Sequence, residues 1–421
     1  MKKFFLFASA ALVLASCSSE AEEAVIKPNE TPEEEVLELT EIKLGAGAPT
    51  ASAETRAIVD IAGAFDDTKV GIFGVNENGR ATNNDWSEYE DPNIMNIATE
   101  HAVILFNEPA TIADDGKVTF DNVSGSPEPK NKFYFPRTNN NNYGYTFLGY
   151  YPKVVNDSVT KSTDSIVVKG VFDGTQDIIA GKAPTATPVN NYVGYNAKYI
   201  REYRNDRTVN TEGLTYPKID IKFTHLATKI IVKLQRTSNY IQEMCDVYAA
   251  WFDVKNQYKI TFEKYTNDSV KYDLAFEGDT VAAYAIGGGV FDISKTYEDG
   301  DVVKYNGAYY QFNTQHTPGG WSDTQVIPMT PKAPETSPAE TYPIFIEPDP
   351  KQNGLKATKK LYLVLNDDIN DVKEVTITSP ADGFKPGTAY TVTVTINGPE
   401  AITVTASIAN WTTGDDITAD I

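Results

Sequence analysis

Apolar and polar residues alternate with a period of two along most of this chain, and this alternation limits the folds open to it. Ile219, Ile221 and Phe223 alternate with Asp220 and Lys222, and similar segments rich in Tyr, Phe, Val, Ile and Thr follow one another. Clusters of Asn, Asp, Gly and Pro separate these segments, as turns separate strands. Because successive strand side chains point to opposite faces, the pattern predicts an all-β sandwich or barrel.

One stretch departs from this alternation. In "NYIQEMCDVYAAWFDV" the apolar residues Ile241, Tyr248 and Trp251 fall at helical spacing, which predicts a short amphipathic helix with Cys245 in the core. The chain has two cysteines, Cys17 and Cys245, which are too few for a disulfide framework. We therefore expect packed cores to supply the stability.

The chain begins with the features of an export signal. Two lysines precede an apolar run from Phe4 to Ala15, and small residues then lead to Cys17. The run is too short for a permanent membrane helix. "LAS" before Cys17 resembles the bacterial lipobox, which predicts cleavage before Cys17, acylation of its thiol and a membrane-anchored precursor. Ordinary leader cleavage, with Cys17 incidental, is the alternative.

The charge and the motifs exclude several classes of function. The chain carries 37 basic and 58 acidic residues, a net charge of -21, which argues against nucleic acid as a partner. His101, His225 and His316 lie in unrelated contexts without metal-ligand spacing, so we expect no metal, no cofactor and no catalytic site. Paired carboxylates on distant strands leave a β-sandwich surface hydrolase as an alternative.

Five sequence features follow one another in an order that resembles the fimbrillin family, the type V pilus subunits of Bacteroidetes-type bacteria. They are the lipobox, "ETRA", the set "FYFP", "YTFLGYYP" and "DIIAGKA", then "FTHLATKIIVKL", and finally "FKPGTAYTVTVTI" with "ITVTASIANW". The resemblance implies two transthyretin-like β-sandwich domains. The implied segments are a leader (1–17), a tether with a removable strand (18–56), an N-terminal domain (57–215) and a C-terminal domain (216–421).

The resemblance also implies how the precursor matures. An arginine-specific protease at the cell surface would cleave after Arg56 and make Ala57 the new N-terminus. The removed segment contains "LTEIKLGAG", whose Ile42, Leu44 and Ala46 share one face of a short strand. We expect this strand to complete the first domain until cleavage. The implied location is the outer membrane and the fimbrium, with other pilin subunits as partners.

Loss of that strand would leave an apolar groove and unpaired backbone groups. A strand from the next subunit can fill such a groove by β-augmentation. In the fimbrillin family this is the C-terminal strand, which here alternates Ile402, Val404, Ala406 and Ile408 with polar residues. The alternative is that this strand pairs only within its own domain.

Residues 291–331 depart from the plain pilin pattern and predict a small β insert. Their aromatic residues, glycines and "YNG" turn resemble the chitin-binding type of carbohydrate-binding module, although Phe291 replaces the usual Trp. We expect Tyr309, Tyr310 and Trp321 to stack on a glycan, as an adhesive tip or minor subunit would require. A role in the core of the insert is the alternative for Trp321. A free-standing carbohydrate-binding lipoprotein is the alternative function.

Overall fold

The computed structural model covers the chain with gaps, and every structural statement below concerns the residues it describes. These are residues 40–47, 68–77, 84–88, 101–113, 116–121, 132–136, 143–184, 194–205, 219–238, 246–265, 269–337, 342–350, 357–365, 372–379, 383–397 and 407–411. They belong to one compact unit. Cys17, Arg56, Ala57 and Cys245 lie outside them.

Strands account for nearly all the regular structure of the described residues. The first half contains β1 (Leu44–Gly47), β2 (Thr68–Asn76), β3 (Val103–Ile112), β4 (Lys117–Phe120), β5 (Tyr145–Tyr151), β6 (Val159–Lys161), β7 (Ser165–Val171), β8 (Ile179–Lys182), α1 (Ala197–Asn205), β9 (Asp220–His225) and β10 (Thr228–Arg236). The second half contains β11 (Val247–Tyr265), β12 (Ser269–Ile286), β13 (Val302–Tyr305), β14 (Ala308–Phe312), β15 (Val326–Pro328), β16 (Tyr342–Ile346), β17 (Asp349–Pro350), β18 (Thr358–Leu365), β19 (Val372–Thr378), β20 (Gly383–Phe384), β21 (Ala389–Ile396) and β22 (Ser407–Trp411). The all-β prediction is confirmed.

Seven strands close into a barrel in the order β1-β4-β3-β2-β5-β8-β9. Most neighbours are antiparallel, whereas β1 and β9 close the ring as a parallel pair. β2 is buried along almost its whole length because both faces are covered: Ile72 packs into the barrel interior and Phe73 packs outward onto Phe262 of β11. This explains why "VGIFGV", residues 70–75, is apolar throughout.

Two further sheets adjoin the barrel. One has the order β19-β18-β11-β7-β6, with β12 also paired to β11, and the other has the order β16-β10-β21-β22. The alternation of the sequence is visible in β10, where Ile230, Val232 and Leu234 are buried in a core shared with β11 and β21. A separate three-stranded sheet, β13-β14-β15, lies within the segment predicted to be an insert.

The helix predicted around Tyr248 and Trp251 is wrong for the described residues, because β11 begins at Val247. A register shift between Val247 and Ala249 leaves Tyr248 as an extra residue of β11 where this strand pairs with β18. A bulge adds one residue to a strand, so side chains three positions apart can lie on the same face. Tyr248 and Trp251 are both half-buried, whereas Val247, Ala249 and Phe252 are fully buried. The bulge therefore gives residues on one face of the strand a sequence spacing that resembles that of a helix.

Strands from both predicted domains share sheets. β9, which follows residue 216, completes the barrel, while β6 and β7, which precede residue 215, lie in the same sheet as β11. The boundary between residues 215 and 216 stays a prediction. The described residues contain one α-helix, α1, of nine residues, and a short 3-10 helix (Asn156–Ser158), and no helix among them is long and apolar enough to cross a membrane.

Candidate functional site

The segment expected to be removable lies inside the barrel wall. The N–H of Ile42 donates to the carbonyl of Phe133 at 2.8 Å, and the N–H of Phe135 donates to the carbonyl of Thr40 at 2.9 Å. Further along, the N–H of Ala46 donates to the carbonyl of Gly116 at 2.6 Å. The backbone of residues 40–46 is thus hydrogen-bonded to its neighbours at both of its ends.

The alternating side chains of this segment point into the barrel core. Ile42, Leu44 and Ala46 are 3%, 6% and 9% exposed, and they pack in the cluster that contains Ile72 and Phe133. Lys43, between two of them, is exposed. The face predicted from the alternation is therefore the buried one, as expected for a strand with one face on a core.

β1 alone separates β4 from β9 in the ring of strands. Gly45 lies opposite Lys117 of β4 on one side and opposite Asp220 of β9 on the other. Without β1, both neighbouring strands would become sheet edges with unpaired backbone groups. The slot between them would accept one strand that runs parallel to β9 and antiparallel to β4.

The proposed donor strand is only partly described. Ile402, Val404 and Ala406 lie outside the described residues. Ile408 belongs to β22, where it lies opposite Val392 of β21. β22 is the last strand in the order β16-β10-β21-β22. In this structure β22 therefore pairs with β21 of its own chain, and donation of residues 402–408 to a second subunit stays a prediction.

The insert has a small aromatic core of its own. The strands β13, β14 and β15 pair antiparallel, and Tyr297, Val303 and Phe312 are buried between them. The rings of Tyr297 and Phe312 stack with their centroids 4.8 Å apart. A module of this size has little apolar area to bury, and stacked aromatic rings add specific contacts to it.

Trp321 lies at the rim of this core and remains partly exposed. Its ring stacks on Tyr305 at a centroid distance of 4.0 Å and an interplanar angle of 12°. Phe291 and Tyr310 meet it edge-on at 5.1 and 5.0 Å, and its Nε1–H donates to Asp323 at 2.7 Å. These contacts hold the indole ring at the edge of the insert core, and its stacking on a glycan stays a prediction.

Tyr309 does not lie with the other two candidates. It is 7% exposed and stacks on Tyr248 of β11 at 5.8 Å, on the side where the insert contacts the large sheet. Burial raises the pKa of its hydroxyl to about 12. No ring face of Tyr309 is open to a sugar, so it is replaced by Tyr305 in the candidate cluster. Adjacent strand residues point to opposite faces, a signal that "YY" at residues 309 and 310 already carried.

Two histidines, His225 and His316, are held in place by hydrogen bonds to neighbouring side chains. His225 Nδ1 and the carboxylate of Asp177 share a hydrogen bond, and burial raises the pKa of that carboxyl group. His316 is buried against Phe312, and its Nδ1 is 2.7 Å from the side-chain oxygen of Gln325. Within the described ranges, no group of three or more His, Cys, Asp or Glu side chains could hold a metal ion.

Comparison with known proteins first defines the class of the chain. Residues 1–18 match the family model of the prokaryotic membrane lipoprotein lipid attachment site. This confirms the predicted lipoprotein leader, and the segment includes Cys17. The protein is thus an exported lipoprotein built from β-sheets. No curated protein matches the chain significantly.

Several solved structures resemble the chain along most of its length. A protein ascribed to cell adhesion from Bacteroides ovatus has a TM-score of 0.42 and 16% identity, and the match covers 90% of this chain and 100% of that one. The tip fimbrial protein Mfa3 of Porphyromonas gingivalis has a TM-score of 0.33 and 10% identity, and the match covers 89% of this chain and 100% of that one. The fimbrial anchor protein Mfa2 of the same species has a TM-score of 0.32 and 8% identity, and the match covers 89% of this chain and 96% of that one. These solved proteins are adhesion and fimbrial proteins, but they are distant, so the function proposed below rests on the geometry of this chain.

Proposed function

We propose that this chain is the precursor of a fimbrial subunit, which polymerises by strand exchange after cleavage at Arg56. The observation that carries the proposal is the position of β1, which closes the barrel between β4 and β9 with Ile42, Leu44 and Ala46 buried. Arg56 follows this strand closely in the sequence. One cut there would separate a strand from the fold that it completes.

Cleavage alone would not release the strand, because noncovalent contacts still hold it. Burying a side chain such as Leu44 contributes about 1.5–3 kcal/mol, and each net backbone hydrogen bond about 0.5–1.5 kcal/mol. Once the covalent link is cut, however, a competing strand can replace these contacts with equivalent ones. After the cut, β1 is therefore bound only by noncovalent contacts and can be exchanged for another strand.

The C-terminal segment of a second copy has a suitable pattern for this slot. "IKLGA" at residues 42–46 and "ITVTA" at residues 402–406 both place two branched residues and then Ala on one face. The segment directly precedes β22, an edge strand of its own sheet. Donation to a neighbour would use residues that lead into this edge and would require part of the β21–β22 pairing to open.

Treatment of the leader-free chain with an arginine-specific protease tests this function. We expect a new N-terminus at Ala57 and a ladder of oligomers on native gels, while an Arg56→Ala variant stays intact and monomeric. Cleavage at Arg56 without any oligomer would contradict the proposal. N-terminal sequencing of the protein on the cell surface would identify the same cut in its natural setting, where the outer membrane anchor and other pilin subunits are the partners.

A second function, glycan binding by the insert, is favoured by one specific observation. Tyr305, Tyr310 and Trp321 form a fixed aromatic cluster that is still partly exposed. Aromatic faces stack on the apolar faces of sugar rings, and a cluster that is already ordered loses little entropy on binding. A subunit with this activity would suit an adhesive tip or minor position in the fimbria.

A further inference from the structure

The slot that β1 occupies has a polar side chain over its outer face. Gly45 of β1 lies opposite Asp220 of β9 in the parallel pair. A Cβ atom added at Gly45 would be 2.2 Å from the Asp220 Oδ1 atom and 3.7 Å from the carbonyl oxygen of Gly116. The Asp220 carboxylate therefore lies directly above Gly45, one of the two glycines of β1, which has no side chain to meet it.

Asp220 is suited to contact whatever residue takes this position. Its side chain is half-buried. The carboxylate is the end of a short flexible side chain, so a rotation about χ1 can make room for a small neighbour. A carboxylate accepts hydrogen bonds from hydroxyl groups, and such charge-assisted bonds are stronger than neutral ones.

We propose that Asp220 selects the residue at this position of an incoming strand, accepting Gly, Ser or Thr and disfavouring acidic or purely apolar residues. This inference rests on the proposed strand exchange. Aligning "ITVTA" with "IKLGA" puts Thr405 where Gly45 lies, so the hydroxyl of Thr405 donates to the Asp220 carboxylate. The alternate apolar residues give affinity, while the Thr405 hydroxyl and the sizes of the apolar residues beside it together fix the register.

Register needs such a selector because the donor segment alternates over several residues. "ITVTASI" can slide by two positions and still present apolar side chains to the slot. A shift of two residues toward the C-terminus would place Ser407 at Asp220, and a shift the other way would place Thr403 there. Hydroxyl contact therefore restricts the frame to these positions, and the decrease in side-chain size from Ile402 to Ala406 favours Thr405 among them.

The intact chain gives one test that does not depend on exchange. Gly45→Thr and Gly45→Val differ by a hydroxyl in place of a methyl group. We expect the Thr variant to be the more stable, with an unfolding equilibrium constant about fivefold lower than that of the Val variant. Gly45→Glu should unfold about fivefold more readily than Gly45→Gln, because like charges then lie opposite each other. Both differences should vanish with Asp220→Ala. Differences that persist without Asp220 would overturn the inference.

Peptide exchange gives the second test. The leader-free chain is cut by the arginine-specific protease and mixed with fluorescent peptides of residues 400–411, carrying Thr405, Thr405→Val or Thr405→Glu. We expect the Thr405 peptide to displace the N-terminal fragment at a concentration about fivefold lower than the Val form, and Asp220→Ala to remove that preference. Equal exchange by all peptides would overturn the role of Asp220 but leave strand exchange standing. If no peptide enters, the proposed function fails and the selector fails with it.

Discussion

Leu44 of β1 and Val118 of β4 lie opposite each other across an antiparallel pair, and both side chains are buried in the barrel core. A residue near the N-terminus thus completes a barrel whose last strand, β9, begins at Asp220. Because such a contact joins distant parts of the chain, its loss should destabilise the whole barrel.

Leu44→Ala should destabilise the uncleaved chain by about 2–5 kcal/mol, because it removes a buried side chain and leaves a cavity. Chemical denaturation followed by fluorescence measures the change. The matched control is Lys43→Ala, directly before this strand, whose side chain is exposed and whose loss should change the free energy of unfolding by no more than about 0.5 kcal/mol. Equal effects of the two substitutions would show that β1 is not packed as described.

Trp321→Ala and Tyr305→Ala should each abolish binding to a polysaccharide array, because the two rings form one stack. Ile327→Ala is the control, since this insert residue is exposed and lies outside the aromatic cluster. A polysaccharide that binds the parent and the Trp321→Ala variant alike would remove this cluster as the binding site. A parent protein that binds no glycan would remove the activity itself.

Tryptophan fluorescence should change with a midpoint near pH 8. Lys264 lies 4.8 Å above the ring of buried Trp86, and burial lowers the pKa of its ammonium group to about 8. Loss of that charge alters the field on the indole ring. Since the folded state releases the proton more readily than the unfolded chain, this group should make the free energy of unfolding rise between about pH 8 and the ordinary lysine pKa of 10.5.

The control for this titration is Lys264→Met, which keeps the length of the side chain without its charge. The transition near pH 8 should be absent from this variant. A parent titration that resembles the variant across this range would contradict the contact between Lys264 and Trp86.

Much of the fold follows from local patterns in the sequence. The alternation of Ile42, Leu44 and Ala46 was enough to predict a strand and its buried face, both of which the structure contains. The lipobox pattern before Cys17 likewise predicted the leader that the lipoprotein family model matches. These features depend on neighbouring residues alone, so a single sequence carries them.

Other features depend on contacts that no local pattern contains. The parallel pairing of β1 with β9 and the position of Asp220 over Gly45 join segments that are far apart in the sequence. The bulge at Tyr248 changed the spacing of apolar residues and led to a wrong helix prediction. The burial of Tyr309 depends on Tyr248, a residue of another strand. The stack of Tyr305 with Trp321 became visible only in three dimensions.

A reversible lock on β1 tests strand exchange most directly. Cysteines introduced as Leu44→Cys and Val118→Cys would lie opposite each other in the antiparallel pair, at a separation that suits a disulfide. The chain carrying both changes is oxidised, cut at Arg56 and followed by native gel electrophoresis before and after reduction. We predict monomers while the disulfide holds β1 in place, and a ladder of oligomers once it is reduced. Oligomers that form equally well with the disulfide intact would contradict the account, because they would assemble without vacating the slot between β4 and β9.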